Sequence, residues 1–110
     1  TDTECKAFIK SFAKHSLIDP HTATCFKLVD KSKLTLITST AEWSKFTPSM
    51  CEALFDKVCA DEKSAMLEIA QKFNYALKPQ IPALFDKAQS QTRVYEVSEL
   101  KDEILRWIRR

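Results

Sequence analysis

The run Thr47-Pro48-Ser49-Met50-Cys51-Glu52-Ala53-Leu54-Phe55-Asp56-Lys57-Val58-Cys59-Ala60-Asp61 sets the expected fold class. Thr47 offers a hydroxyl at an N-cap, and Pro48 suits the first helical position, where its missing N–H would have no partner anyway. Met50, Cys51, Leu54, Phe55 and Val58 recur at helical spacing, which predicts a helix running to about Cys59. Asp61 stands ready to cap a second helix, with Met66, Ile69, Ala70, Phe73 and Leu77 as its apolar stripe and Lys78-Pro79 as its stop. Two helices joined by a short turn form the centre of the expected architecture.

Further helices are expected on both sides. Residues 4–17 put Cys5, Phe8, Ile9, Phe12 and Ser16 on one stripe, with Lys6, Lys10 and Lys14 off it, and Asp19-Pro20 ends that helix. A short apolar turn follows around Cys25, Phe26, Leu28 and Val29. Lys33-Leu34-Thr35-Leu36-Ile37-Thr38 is rich in branched side chains and too short for a helix, so it reads as a strand. Residues 80–91 read as a long crossing loop with one helical turn at 82–87, and residues 92–97 as a second strand. Ser98 then caps a last helix with Val97, Leu100, Ile104 and Ile108 on its stripe and Trp107 beside it.

Composition narrows the function classes. The chain has 110 residues, 45% apolar and 29% charged, which suits a single domain over 1–110 with a buried core. It contains no glycine, so a phosphate-cradling glycine loop or a dinucleotide fingerprint is excluded. A formal charge of +2 does not point to nucleic acid or an anionic membrane, and no run approaches the roughly 18 apolar residues of a membrane span. The start at Thr1, without Met, is what a mature secreted chain would show. Four cysteines, none in C-x-x-C spacing, add to that expectation of a secreted, extracellular domain stapled by disulfides.

No arrangement for catalysis is expected. His15 lies on a helix edge and His21 in a loop, and cysteines that pair with each other are lost as nucleophiles. The spacing of Cys51 and Cys59 fits no common zinc site, so neither a metal nor another cofactor is expected. Glu68, Asp86 and Glu103 fall on expected solvent faces. Four cysteines allow three connectivities. On an unbroken helix Cys51 and Cys59 would lie roughly 12 Å apart, beyond the reach of a disulfide. Two pairings stay open: Cys25 with Cys59 and Cys5 with Cys51, or Cys5 with Cys59 and Cys25 with Cys51.

The element order is helix, long crossing with a strand, helix, short turn, helix, long crossing with a strand, helix. It predicts an all-α, short-chain four-helix bundle of up-up-down-down topology, with a small two-stranded β pair in the crossovers and two disulfides. Thr92-Arg93-Val94-Tyr95-Glu96-Val97-Ser98-Glu99-Leu100-Lys101-Asp102-Glu103-Ile104-Leu105 resembles the strand and last helix of the interleukin-4/interleukin-13 cytokines. Met50-Cys51-Glu52-Ala53-Leu54 and Glu62-Lys63-Ser64-Ala65-Met66-Leu67 are similar to their second and third helices. The resemblance implies a Cys25–Cys59 disulfide and leaves Cys5 and Cys51 to pair with each other.

It also implies a secreted, monomeric ligand for two type I cytokine receptor ectodomains, an interleukin-4 receptor alpha-like chain and a second chain. The first would meet Lys10, Ser11 and Lys14 on the first helix and Glu68, Gln71, Lys72 and Tyr75 on the third. The second would meet Arg93, Val94 and Tyr95 on the strand and Arg106, Trp107 and Arg109 on the last helix. Near Ser11 the family's acidic residue is missing. A second resemblance, to the oomycete elicitins, rests on the cysteine-headed first helix and on Leu34-Thr35 leading to Met50-Cys51, and implies a sterol- or lipid-binding effector instead.

Overall fold

The computed structural model describes residues 1–89 and 92–109. Among them the chain forms six α-helices: α1 (Asp2–Phe12), α2 (Pro20–Cys25), α3 (Thr47–Phe55), α4 (Glu62–Lys72), α5 (Gln80–Ala83) and α6 (Leu100–Ile108). Short 3-10 turns follow α2 at Phe26–Leu28, lead into α3 at Trp43–Phe46, extend α5 at Leu84–Asp86 and precede α6 at Val97–Glu99.

The body is built around α3. Helix α1 packs on α3 and on α2, and α4 packs on α3 as well. The core between them consists of Ile9 and Ala13, Leu17, Ala23, Trp43, Met50, Cys51, Ala53 and Leu54, and Ala65, Met66, Ile69 and Ala70. Lys6 reinforces the α1–α3 contact, donating to Glu52 Oε2 at 2.6 Å and to Asp2 Oδ2 at 2.8 Å.

The helix ends depart from the sequence reading for local reasons. Thr47 does not cap α3 but is its first residue, with its hydroxyl donating to the Ser44 carbonyl at 3.0 Å. Helix α3 ends at Phe55 because Asp56 turns left-handed, at φ 55° and ψ 34°, with its N–H on the Glu52 carbonyl. Asp61 does cap α4, accepting from the Ser64 amide at 2.7 Å. That helix stops at Lys72 in a Schellman motif: Asn74 takes φ 51°, its N–H meets the Gln71 carbonyl, and the Tyr75 N–H reaches the Ala70 carbonyl at 2.8 Å. In a chain without glycine, Asp and Asn fill the two left-handed positions among the described residues, since their short polar side chains tolerate that region best among other residues.

The predicted bundle does not form. Residues 33–38 and the described residues 92–97 are not strands, so there is no β pair, and α2 follows α1 through the short connection 13–19 rather than a long crossover. All four cysteines are free thiols, so neither predicted disulfide exists. Cys5 donates to the Pro20 carbonyl at 3.3 Å, and Cys25 lies exposed against the His21 carbonyl. Cys51 instead lies in the core, Cys59 packs against the same cluster, and Cys59 helps push the Cys51 thiol pKa up. Their separation on an unbroken helix does not apply, because the helix breaks at Asp56.

Helix α6 lies outside the body, packing chiefly on its own 3-10 turn. With the extended segments it draws the chain out to 55 × 31 × 24 Å, and the radius of gyration is 18.3 Å. A compact domain of this length has a radius of about 13 Å.

Candidate functional site

Three places concentrate polar or unsatisfied chemistry. The first is the junction of α2 with the end of the extended segment. Asp19 is 1% exposed and caps α2, accepting from the His21 amide at 2.9 Å and the Thr22 amide at 3.3 Å. The Thr22 hydroxyl donates to its other oxygen, and the Ser39 hydroxyl lies 3.2 Å from that same oxygen. Burial pushes the Asp19 pKa up, but these bonds from Thr22, His21 and Ser39 outweigh it and hold the carboxyl below the ordinary value. His21 Nδ1 stands 3.3 Å from Asp19 Oδ1, and its ring packs on Phe46. A carboxylate so fully bonded is a clamp on the chain rather than a base. The sequence does carry the signal for it: Asp19-Pro20 is the same cap-then-proline pattern as Thr47-Pro48, read there only as a helix stop.

The second place is the turn between α3 and α4. Lys57 donates to Glu68 at 2.8 and 2.9 Å and covers the Phe55 ring at 5.1 Å, while Asp56 pairs with Lys10 of α1. Adjacent residues of one turn are thereby tied to the helices on either side of α3. Burial pushes the Cys51 thiol up; the neighbouring Cys59 and Glu68 add to this, and Lys57 opposes it. Among the described residues no group of three or more His, Cys, Asp or Glu converges as a metal set.

The third is apolar surface with nothing over it. Leu34 and Leu36, two residues apart in a segment without regular secondary structure, are essentially bare, Leu36 being 92% exposed. No backbone-to-backbone hydrogen bond ties the N–H groups of 34–41 among the described residues. Val94 is 95% exposed, and Leu100, Ile104, Trp107 and Ile108 of α6 are exposed as well.

The residues expected to meet receptors scatter over this framework. Lys10 and Glu68 are held in the ion pairs to Asp56 and Lys57. Ser11 donates to the Phe8 carbonyl at 3.0 Å, and Lys14, Gln71 and Lys72 face solvent. Tyr75 is bound to Glu42 and Trp43. Tyr95 raises the Arg93 pKa by hydrogen bonding and charge, Arg106 pairs with Glu103, and Trp107 and Arg109 are exposed. Helix α1 has α3 as a main neighbour, and so does α4, so the sets on α1 and α4 flank a helix not expected to separate them. Sequence reading passed over Ser39, Glu42 and Lys57, whose partners lie too far along the chain for any spacing rule.

No family model matches this chain, and no solved structure matches it. It is 33% identical to threonine synthase-like 1 of Pongo abelii and of Mus musculus, and 32% identical to that of Homo sapiens. Each similarity runs over 113 aligned positions that take in 96% of this chain and 15% of the relative. The chain therefore spans about 15% of the length of the curated relatives it matches. A similarity of this extent overturns the interleukin-4/13 and elicitin resemblances, which rested on short runs and on cysteine positions, and with them the cytokine and immune reading. The expectation of a non-enzyme is corrected in part, since these relatives bear the name of an enzyme.

Proposed function

We propose that this chain serves as one part of a threonine synthase-like enzyme polypeptide, as a helical body that presents residues 33–38 for pairing with a sheet formed elsewhere in that polypeptide. The observation that carries this reading is the bare pair Leu34 and Leu36 in a segment, residues 34–41, whose N–H groups find no backbone partner among the described residues. A free strand edge with an apolar side is unstable in water and is stabilised by pairing and cover. The clamp of Asp19 and Thr22 on Ser39 fixes where the segment leaves the body, so the body orients it. The similarity to a small share of much longer relatives supports the same reading.

The reading also accounts for α6, whose apolar stripe is left exposed among the described residues and would gain cover in the longer protein. Catalysis, and the threonine that the relatives' name mentions, would then belong to the whole polypeptide and not to this stretch alone.

A chimera tests it. This chain, placed in the mouse relative in exchange for the 113 matched positions, is expected to give a soluble protein with a cooperative melt and slow amide exchange over 33–38. Leu34→Asp with Leu36→Asp is expected to abolish that folding in the chimera while leaving the melt of the isolated chain unchanged. A chimera that folds equally well with both aspartates would overturn the proposal.

A further inference from the structure

Cys51 and Cys59 sit on either side of the left-handed residue that ends α3. Helix α3 stops at Phe55, Asp56 reverses the chain, and Cys59 returns to the side of Cys51, both packing on the same core cluster. Cys51 is fully buried and Cys59 half-buried, so a reagent arriving from solvent meets Cys59 first. The Lys57 ammonium is close enough to act on both sulfurs, and Glu68 holds it in place at 2.8 Å. Because Asp56 is tied to α1 and Lys57 to α4, the turn keeps the two sulfurs together. Cys5 and Cys25 each face a backbone carbonyl of α2 instead.

We propose that Cys51 and Cys59 form a reversible dithiol–disulfide pair, with Cys59 the entry thiol and Cys51 the resolving thiol, oxidised by a small disulfide of the glutathione type. Cys59 loses its proton to solvent and attacks one sulfur of the small disulfide. The reagent's S–S bond breaks, a mixed disulfide forms on Cys59, and the first small thiolate leaves and takes up a proton. Cys51 then loses its proton and attacks the Cys59 sulfur, forming the Cys51–Cys59 bond and releasing the second small thiolate, which is protonated in turn. The cysteines give up two electrons, and the reagent takes them as it becomes two thiols. Burial keeps Cys51 protonated and inert until the mixed disulfide stands beside it. This assignment does not depend on the enzyme reading above.

The test is disulfide mapping on the full chain, reduced and then incubated with oxidised glutathione in the absence of air. Digestion without reductant and mass spectrometry are expected to recover a Cys51–Cys59 peptide that excess reduced glutathione opens. Cys5 and Cys25 are expected in no internal bridge. Cys51→Ala is expected to accumulate a glutathione adduct on Cys59 several-fold above the wild-type level, and Cys59→Ser to leave Cys51 unmodified. A wild-type chain that keeps the adduct on Cys59, or joins Cys59 to Cys25, would refute the pair. If circular dichroism shows that reduced Cys51→Ala is unfolded, the wild-type map and Cys59→Ser decide the matter by themselves.

Discussion

Tyr75 donates its phenolic hydroxyl to Glu42 Oε1 at 2.8 Å, a bond that closes 33 residues of chain. Its ring meets Trp43 edge-on, with centroids 5.4 Å apart. The residue that ends the Schellman turn of α4 thus holds the chain where it enters the 3-10 turn before α3. Glu42 raises the Tyr75 pKa by accepting that bond, and partial burial adds to it. Tyr75→Phe is expected to lower stability by about 0.5–1.5 kcal/mol, the usual worth of one such bond. Tyr75→Ala loses the aromatic pair as well and is expected to cost more. Urea unfolding at neutral pH measures both, and equal midpoints for wild type and Tyr75→Phe would remove the role given to this bond.

Asp19 makes the fold sensitive to acid. Its carboxyl is held below the ordinary value in the folded chain, so the unfolded chain binds the proton first as pH falls. The stabilisation is fully present above the unfolded value of about 3.9 and is lost as pH drops through the folded value. Thermal melts between neutral pH and pH ~2 are expected to show that loss, and Asp19→Asn to flatten it. Asp19→Ala also removes the cap of α2 and strands the Thr22 and Ser39 hydroxyls, at an expected cost of about 1–3 kcal/mol at neutral pH.

Helical starts were legible wherever a short polar side chain preceded a periodic apolar run. Asp61 before Met66, Ile69 and Ala70 is the clear instance, and those three side chains are buried. Ends were less legible, because periodicity continues past the point where the backbone turns: Phe73 and Leu77 fit the stripe of α4, yet Asn74 has already left the helix. The strand at 33–38 was read from residue type, which records a capacity for pairing; the described residues supply no partner to realise it. The cysteines misled for a related reason. Their number suggested staples, but which sulfurs meet depends on the break at Asp56, a backbone event that no spacing rule registers.

The two left-handed residues provide a local test. Asn74 at φ 51° occupies a region that costs residues with a β-carbon roughly 1–2 kcal/mol, and glycine nothing. Asn74→Gly is expected to be neutral or slightly stabilising, whereas Asn74→Ala should destabilise by about 1 kcal/mol. If alanine and glycine give the same midpoint in denaturant, the turn is not what ends α4.

Buried area divides this chain into a body and an outlier, and substitution should expose the division. Ile69 is fully buried among α3 and α4, so Ile69→Ala removes packed methylenes and leaves a cavity, with an expected loss of about 2–5 kcal/mol. Trp107 is the larger side chain but is 70% exposed on α6, where it touches little, and Trp107→Ala is expected to fall within about 0.5 kcal/mol of wild type. The same contrast governs local opening. Helix α6 has few long-range contacts and nine residues, which is shorter than an isolated helix needs to persist in water. Its amides are therefore expected to exchange almost as fast as unstructured ones, while those of α3 and α4 wait for global unfolding. Native-state hydrogen exchange separates the two, and protection of α6 equal to that of α4 would mean that its apolar stripe has found a partner, most directly a second copy of the chain at the concentration used.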